Sequence, residues 1–243
     1  MERNELVLAR LSNQYLLRTG ERMEVLRAMN GFQAQFLSNA LYAMRLRSTA
    51  YDTAHAADSL VKSWTLRGTM HIFAEADLPL FLHTGCRYRS RDWTVPSFWN
   101  QRPNWALTPK RQAYFSDLII DALAQGPMTR EALKARCRAA GMTQAEEGSI
   151  FHPWGGGIRE LCERGFLCGT VSEEKAFRLC PAFTPMEEQD ALLEQTRRYF
   201  TNYGPASVRD AAYYFGSSQA EIEKRLARLP VEAAKYEGQR LFS

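Results

Sequence analysis

Two glutamines one residue apart, Gln33 and Gln35, stand in the stretch Gly31-Phe32-Gln33-Ala34-Gln35-Phe36. A side-chain amide carries an accepting oxygen and a donating NH2, so two amides aimed together can hold and orient a water molecule. Spacing decides whether they meet. In a regular helix, side chains at i and i+2 diverge by about 200°. In extended backbone, period two puts Gln33 and Gln35 on the same side. Gly31 is the residue at which the chain can leave a helix to make that change. The alternative reading keeps the helix, with the glutamines on its surface and Phe32 and Phe36 in the core.

Two further stretches accompany the pair. One is Trp64-Thr65-Leu66-Arg67-Gly68-Thr69-Met70-His71-Ile72-Phe73; the other is Tyr203-Gly204-Pro205-Ala206-Ser207-Val208 with Phe215-Gly216. Together the three resemble the AlkZ-like DNA glycosylases, which carry an early Gln-x-Gln motif, a W-x-x-R-G-T-x-H segment and a Y-G-P-A-T-V segment. The resemblance runs from about residue 8 to residue 228. It implies three winged-helix units around a DNA-binding channel, closed by a C-terminal β-barrel.

The resemblance also implies the chemistry. Gln35 would hold the nucleophilic water, and Gln33 would orient it or contact the lesion or sugar. A purine alkylated at N7 or N3 already carries positive charge, so it departs without a strong general acid. The remaining work is to place water and stabilise an oxocarbenium-like sugar. Glutamine is no base at neutral pH, so uncharged purines should resist. A related branch of the family has Gln-x-Asp and hence a carboxylate, where this chain has Gln35. No lysine lies beside the motif to form a Schiff base, which favours monofunctional hydrolysis.

Arg67 and His71 are expected in a strand or hairpin facing duplex DNA, with Thr69 donating to phosphate. The alternative for His71 is a satisfied buried histidine, and for Arg67 a surface charge. Between Cys86 and Arg111 lie Arg87, Arg89, Arg91, Arg102, Lys110 and Arg111 among Tyr88, Trp93, Phe98, Trp99 and Trp105. This mixture suits phosphate contacts and base stacking. It equally suits a packed linker with buried aromatics and solvated arginines.

The elements around these residues are short. Apolar spacing predicts helices over 5–18, 23–30, 37–46, 53–63, with Thr53 as N-cap, and 75–83. Thr65 to Phe73 reads as a strand or tight hairpin around Gly68. Thr108-Pro109 opens a helix to about Ala124, and Gly126-Pro127-Met128-Thr129 opens another that ends at Gly141. A third runs from about Gly157 to Arg164, followed by a hairpin of 165–169 with 177–180. Gly204-Pro205-Ala206-Ser207 repeats the Gly126 pattern 78 residues later, after a long helix over 186–203. A recurring order of elements argues for tandem units.

The expected fold class is therefore mainly α with short β-hairpins, arranged as tandem winged helix-turn-helix units. Unit 1 spans 1–84 and carries the Gln-x-Gln motif. A basic and aromatic linker covers 85–110, unit 2 covers 111–184, and unit 3 covers 185–243. Unit 3 is expected to be truncated within its wing and to leave an unpaired strand edge.

Composition fits this reading. The 243 residues are 45% hydrophobic and 24% charged, ordinary values for a chain that builds a core. A net charge of +4 leans mildly toward an anionic partner. The expected partner is double-stranded DNA with alkylated bases, with no membrane and no cofactor, and the chain is expected to act as a monomer. No run approaches the roughly 20 apolar residues of a membrane helix. The first residues do not read as a signal peptide, so a cytoplasmic location is expected. Five cysteines without CxxC pairing are expected to be reduced and mostly buried, and four histidines form no metal-binding spacing.

The leading expectation is thus a glycosylase of cationic alkylpurines of the N7-alkylguanine type, interstrand cross-links included. The rival is a non-catalytic winged-helix DNA-binding protein, such as a transcription regulator, because fold does not fix function. A protein-interaction scaffold is the blander third.

Overall fold

The computed structural model describes residues 1–83 and 88–243. Its first elements are α1 (Arg3–Asn13), α2 (Arg22–Ala28), β1 (Phe32–Gln33), α3 (Leu37–Arg47), β2 (Leu60–Trp64), β3 (Met70–Ala74) and α4 (Leu78–Phe81). There follow α5 (Pro109–Leu123), β4 (Met128–Thr129), α6 (Arg130–Ala139), α7 (Gln144–Ile150), α8 (Gly156–Glu163), β5 (Leu167–Gly169) and β6 (Ala176–Leu179). Last come α9 (Glu188–Tyr203), α10 (Val208–Phe215), α11 (Gln219–Leu226), β7 (Ala233–Tyr236) and β8 (Gln239–Phe242). The chain is mostly helical, with short antiparallel pairs.

Helix starts follow capping chemistry. Thr108 accepts from the amide of Arg111, Thr129 from Ala132 and Ser218 from Glu221. Thr143 with Glu146 and Ser207 with Asp210 close reciprocal capping boxes. The Thr143 box opens α7, a helix the apolar spacing did not suggest because its apolar stripe is too short to register.

Three other expectations change. The helix expected over 53–63 is absent. Asp52 accepts from the amide of Ala54, Ser59 sits at φ +58°, and the backbone then extends as β2. A left-handed residue interrupts any helix, and Val61 and Trp64 favour a strand. Helix α1 ends at Asn13, and Tyr15 turns left-handed at φ +60°. Residues 233–242, expected only to begin a wing, form a hairpin: β7 and β8 pair from Ala233↔Phe242 to Tyr236↔Gln239. Its turn residues Glu237 and Gly238 both have positive φ, the geometry that matches strand twist.

The repeat seen in the sequence has a structural counterpart. After Gly126-Pro127, Met128 pairs with Phe177 of β6; after Gly204-Pro205, Ala206 bridges Phe242 of β8. In each copy the small or apolar residue after Gly-Pro ties the helix–turn–helix stretch to the hairpin that follows it.

The chain divides into two compact units. The first gathers Met1–Leu60, Thr65–His83 and Thr184–Ser243, so the expected units 1 and 3 fold together. The second gathers Val61–Trp64 and Thr84–Phe183, so the expected linker belongs with unit 2. In the second unit β2 pairs with β5, β5 with β6 and β6 with β4. Phe115, Ile119, Leu133, Ile158 and Leu161 centre its core, and Trp93 and Trp64 pack against it. Arg164, only 1% exposed, bonds to Glu160 and to the carbonyls of Ser90 and Asp92 and lies 4.3 Å from the Trp93 ring centre. The four described cysteines, Cys137, Cys162, Cys168 and Cys180, are buried and form no disulfide, while Cys86 lies outside the described residues.

In the first unit α9 packs against α1, α2, α4, α10 and α11. Its inward face carries polar groups as well as Ala191, Tyr199 and Phe200. Gln195 donates to the Leu80 carbonyl at 2.7 Å. Arg198 makes two bonds to buried Asp77, at 2.7 and 3.0 Å, and another to the Arg27 carbonyl at 3.0 Å. The helix thereby fastens the end of α2 to α4. Replacing Asp77 by Ala strands a buried guanidinium, with Glu194 as its remaining carboxylate 2.9 Å away. We expect Asp77→Ala to cost about 3 kcal/mol, at the low end for a broken buried pair, read by chemical denaturation.

Candidate functional site

The chain leaves α2 through two consecutive left-handed residues, Asn30 at φ +54° and Gly31 at φ +75°. The Gly31 amide returns to the Leu26 carbonyl at 2.8 Å, which ends the helix. Asn30 is fully buried, and its Nδ2 donates to the Gln195 carbonyl on α9 at 3.0 Å. Asn and Gly are the residues that tolerate this backbone, and the second position admits no side chain. A Cβ on Gly31 would sit 2.5 Å from the Ile72 carbonyl oxygen.

Past Gly31 the backbone is extended against β3. Phe32 pairs with Ile72 and Gln33 with His71, and the Ala34 amide donates to the Met70 carbonyl at 2.7 Å. Burial alternates accordingly: Phe32 and Ala34 face inward at 8% and 0% exposed, and Gln33 and Gln35 are both exposed. The two amides therefore share one face, and the helical alternative for this stretch does not apply. Helix α3 begins only at Leu37. Arg47, on its last turn, lies 5.6 Å over the Phe32 ring and donates to the Ala43 carbonyl.

His71 sits directly opposite Gln33 but is only 4% exposed. Its Nδ1 lies 3.0 Å from the Thr69 carbonyl oxygen. Burial pushes the imidazole down to about 4, a shift that the Thr69 bond opposes and Arg67 reinforces. The ring is therefore neutral at physiological pH. The Thr69 hydroxyl donates to the Leu66 carbonyl at 3.0 Å, which leaves its oxygen as an acceptor and not a phosphate donor.

Arg67 takes φ +54° in the turn before β3 and donates to the Tyr214 carbonyl, its guanidinium 5.1 Å over the Tyr214 ring. The Tyr203 hydroxyl donates to the Met29 carbonyl at 3.2 Å, one residue before Asn30. The Gly204 and Pro205 carbonyls accept from Asn13 and Arg10 of α1. All three sequence motifs thus meet around one turn of the first unit, the third as its scaffold. Burial raises both Tyr203 and Tyr214 above the usual phenol range, so both hydroxyls keep their protons. Asn30 and Tyr214 escaped the sequence reading; the Asn-Gly dipeptide was the available signal for the first.

In the second unit the basic, aromatic stretch is packed. Arg89 donates to the Cys180 carbonyl at 3.1 Å and lies 5.7 Å over Tyr88. Arg91 pairs with Asp117 and lies over Phe166, with its side chain still 54% exposed. Arg87 lies outside the described residues. Among the described residues no group of three or more His, Cys, Asp and Glu side chains could hold a metal, and no helix is long and apolar enough to cross a membrane.

Two outcomes follow from this geometry. Gly31→Ala forces β1 and β3 apart at the site, so we expect loss of stability of about 1–3 kcal/mol from the strained backbone, read by thermal melting. His71 is charged in the unfolded chain near pH 6.5 and below, but in the fold only near pH 4. Its contribution to stability is therefore complete above pH 6.5 and lost as pH falls toward 4. An NMR titration of the ring should show no inflection between pH 8 and 5.

Comparison with known proteins gives the family of the chain. The family model "DNA glycosylase AlkZ-like" matches residues 26–243. A Streptomyces sahachiroi protein described as an interstrand DNA cross-link repair glycosylase is 29% identical over 202 residues, which is 76% of this chain and 52% of that protein. The chain thus spans about half the length of that curated relative. The solved structure of Streptomyces sahachiroi DNA glycosylase AlkZ superimposes with a TM-score of 0.72 at 22% identity, covering 98% of this chain and 68% of the other. With the family model spanning nearly all of the sequence, the chain belongs to the AlkZ-like DNA glycosylase family.

Proposed function

We propose that this chain is a monofunctional DNA glycosylase that hydrolyses the N-glycosidic bond of cationic alkylated purines, N7-alkylguanines and interstrand cross-links among them. The observation that carries the reading is the shared exposed face of Gln33 and Gln35 on backbone clamped by Gly31 against Ile72. Gln35 holds the water, and Gln33 orients it. The C1′–N bond breaks with its electron pair moving to the base, which leaves neutral. Water oxygen adds to C1′ of the oxocarbenium-like sugar, and its proton is released to solvent. Two uncharged amides suit this sequence because the substrate supplies the charge. The same lack of a carboxylate confines the activity to bases that are already cationic.

The fold supports the assignment at a finer grain. The repeated helix, Gly-Pro, helix and hairpin order is that of tandem winged-helix units, a fold suited to duplex DNA. Duplex DNA is the proposed partner of the monomeric chain. Arg67, Arg89 and Arg91 are exposed, and each guanidinium has five N–H donors, more than its internal contacts use. Buried His71 acts on the site side of β3 and not on phosphate.

The test is release of N7-methylguanine from alkylated duplex under single-turnover conditions. Gln35→Ala should slow release by about 10²-fold, the typical loss when a reactant is misplaced. Gln35→Asp should retain release, because a carboxylate also accepts from water. Unchanged release by the alanine variant removes Gln35 from the mechanism. Binding of duplex without any base release by the wild type favours the regulator instead.

A further inference from the structure

We propose that His71 is a positioning residue that fixes the Gln33 amide with its NH2 toward the imidazole and its carbonyl oxygen outward, toward the water. The inference rests on the glycosylase reading for its consequence but on strand register for its geometry. Residues directly opposite in an antiparallel pair project from the same face. Gln33 and His71 are such a pair. The Ala34 amide bonds to the Met70 carbonyl, so the Gln33–His71 rung alternates with it and belongs to the non-hydrogen-bonded class, in which side chains approach most closely.

The tautomer follows from one contact. A backbone carbonyl only accepts, so the Nδ1 that lies 3.0 Å from the Thr69 oxygen carries the proton. Burial keeps the ring uncharged, and Nε2 is then a bare acceptor. The adjoining amide can satisfy it only through its NH2. Gln33 is thereby held in one of its two flip states, the one that turns Oε1 away from the ring.

The consequence is chemical. A water attacking C1′ needs both of its hydrogens held by acceptors and a lone pair free to point at carbon. Gln35 Oε1 and Gln33 Oε1 are two such acceptors. The opposite flip would present NH2 to the water and compete for the lone pair that attacks. A phenylalanine at position 71 would fill the space but leave the amide free to rotate.

Two measurements test this. In 15N NMR of the wild type, His71 should show a protonated Nδ1 and a bare Nε2 whose resonance reports an accepted hydrogen bond. In Gln33→Ala that resonance should move to the position of an unbonded nitrogen. A protonated Nε2, or an unmoved resonance, overturns the proposal, whether or not the protein proves to be a glycosylase. In single-turnover release, His71→Phe and Gln33→Ala should each slow the reaction by about tenfold, the loss of one net hydrogen bond. The double variant should be no slower than the slower single variant, and His71→Gln should recover part of the rate. Losses that multiply to about a hundredfold show that His71 acts independently of Gln33, and they also overturn the proposal. Should His71→Phe fail to fold, the NMR comparison decides alone.

Discussion

The Gln pair depends on how the chain turns between α2 and β1. Asn30 and Gly31 reverse the backbone in two left-handed steps, and Gly31 then lies so close to the Ile72 carbonyl that no side chain fits between them. That approach sets the register of β1 on β3. Register in turn decides which residues face out, because a one-residue slip would bury both glutamines and expose Ala34 and Phe32. The turn is braced from behind by α9, through Asn30 to the Gln195 carbonyl and through Tyr203 to the Met29 carbonyl. A loop on rigid supports holds its geometry better than one left to its own packing.

Electrically, the site is quiet. The amides are neutral, and the histidine beside Gln33 is kept neutral by burial. Nearby tyrosines are held protonated. A neutral site suits a substrate that brings its own positive charge and needs water placed more than it needs a proton delivered. The W-x-x-R-G-T-x-H segment also serves as framework through its internal contacts. Arg67 braces the turn on Tyr214, Thr69 closes it on Leu66, and His71 pairs with Gln33 across the strands.

Arginines in the second unit show a similar economy of charge. Arg164 sits at the bottom of the basic, aromatic stretch and ties it to Glu160 and the Ser90 and Asp92 carbonyls. Arg89 and Arg91 use part of their donor capacity in the same way and present the rest to solvent. Both readings of this stretch, packed and basic, therefore describe the same residues. Guanidinium allows this because its planar fork can bond on one edge while stacking or facing water elsewhere.

Much was legible in the sequence because it is written locally. Caps at Thr108, Thr129 and Ser207, the Gly-Pro repeat and the turn around Gly68 that leads into the strand from Met70 each follow from residues within a turn of one another. The Gln-x-Gln spacing itself stated that the pair would share a site only if the backbone were extended. Local signals failed where short apolar runs are ambiguous, as in β2, which periodicity assigned to a helix until Ser59 broke it. Other features no local reading could supply. That the first and third stretches fold together, that Tyr203 and Asn30 meet the same turn, and that His71 lands opposite Gln33 are all contacts between residues far apart in the chain. They depend on packing and register. The sequence determined that two amide side chains stand one residue apart, and the tertiary structure decided that they share an exposed face, because only a paired strand converts a spacing of two into a shared face.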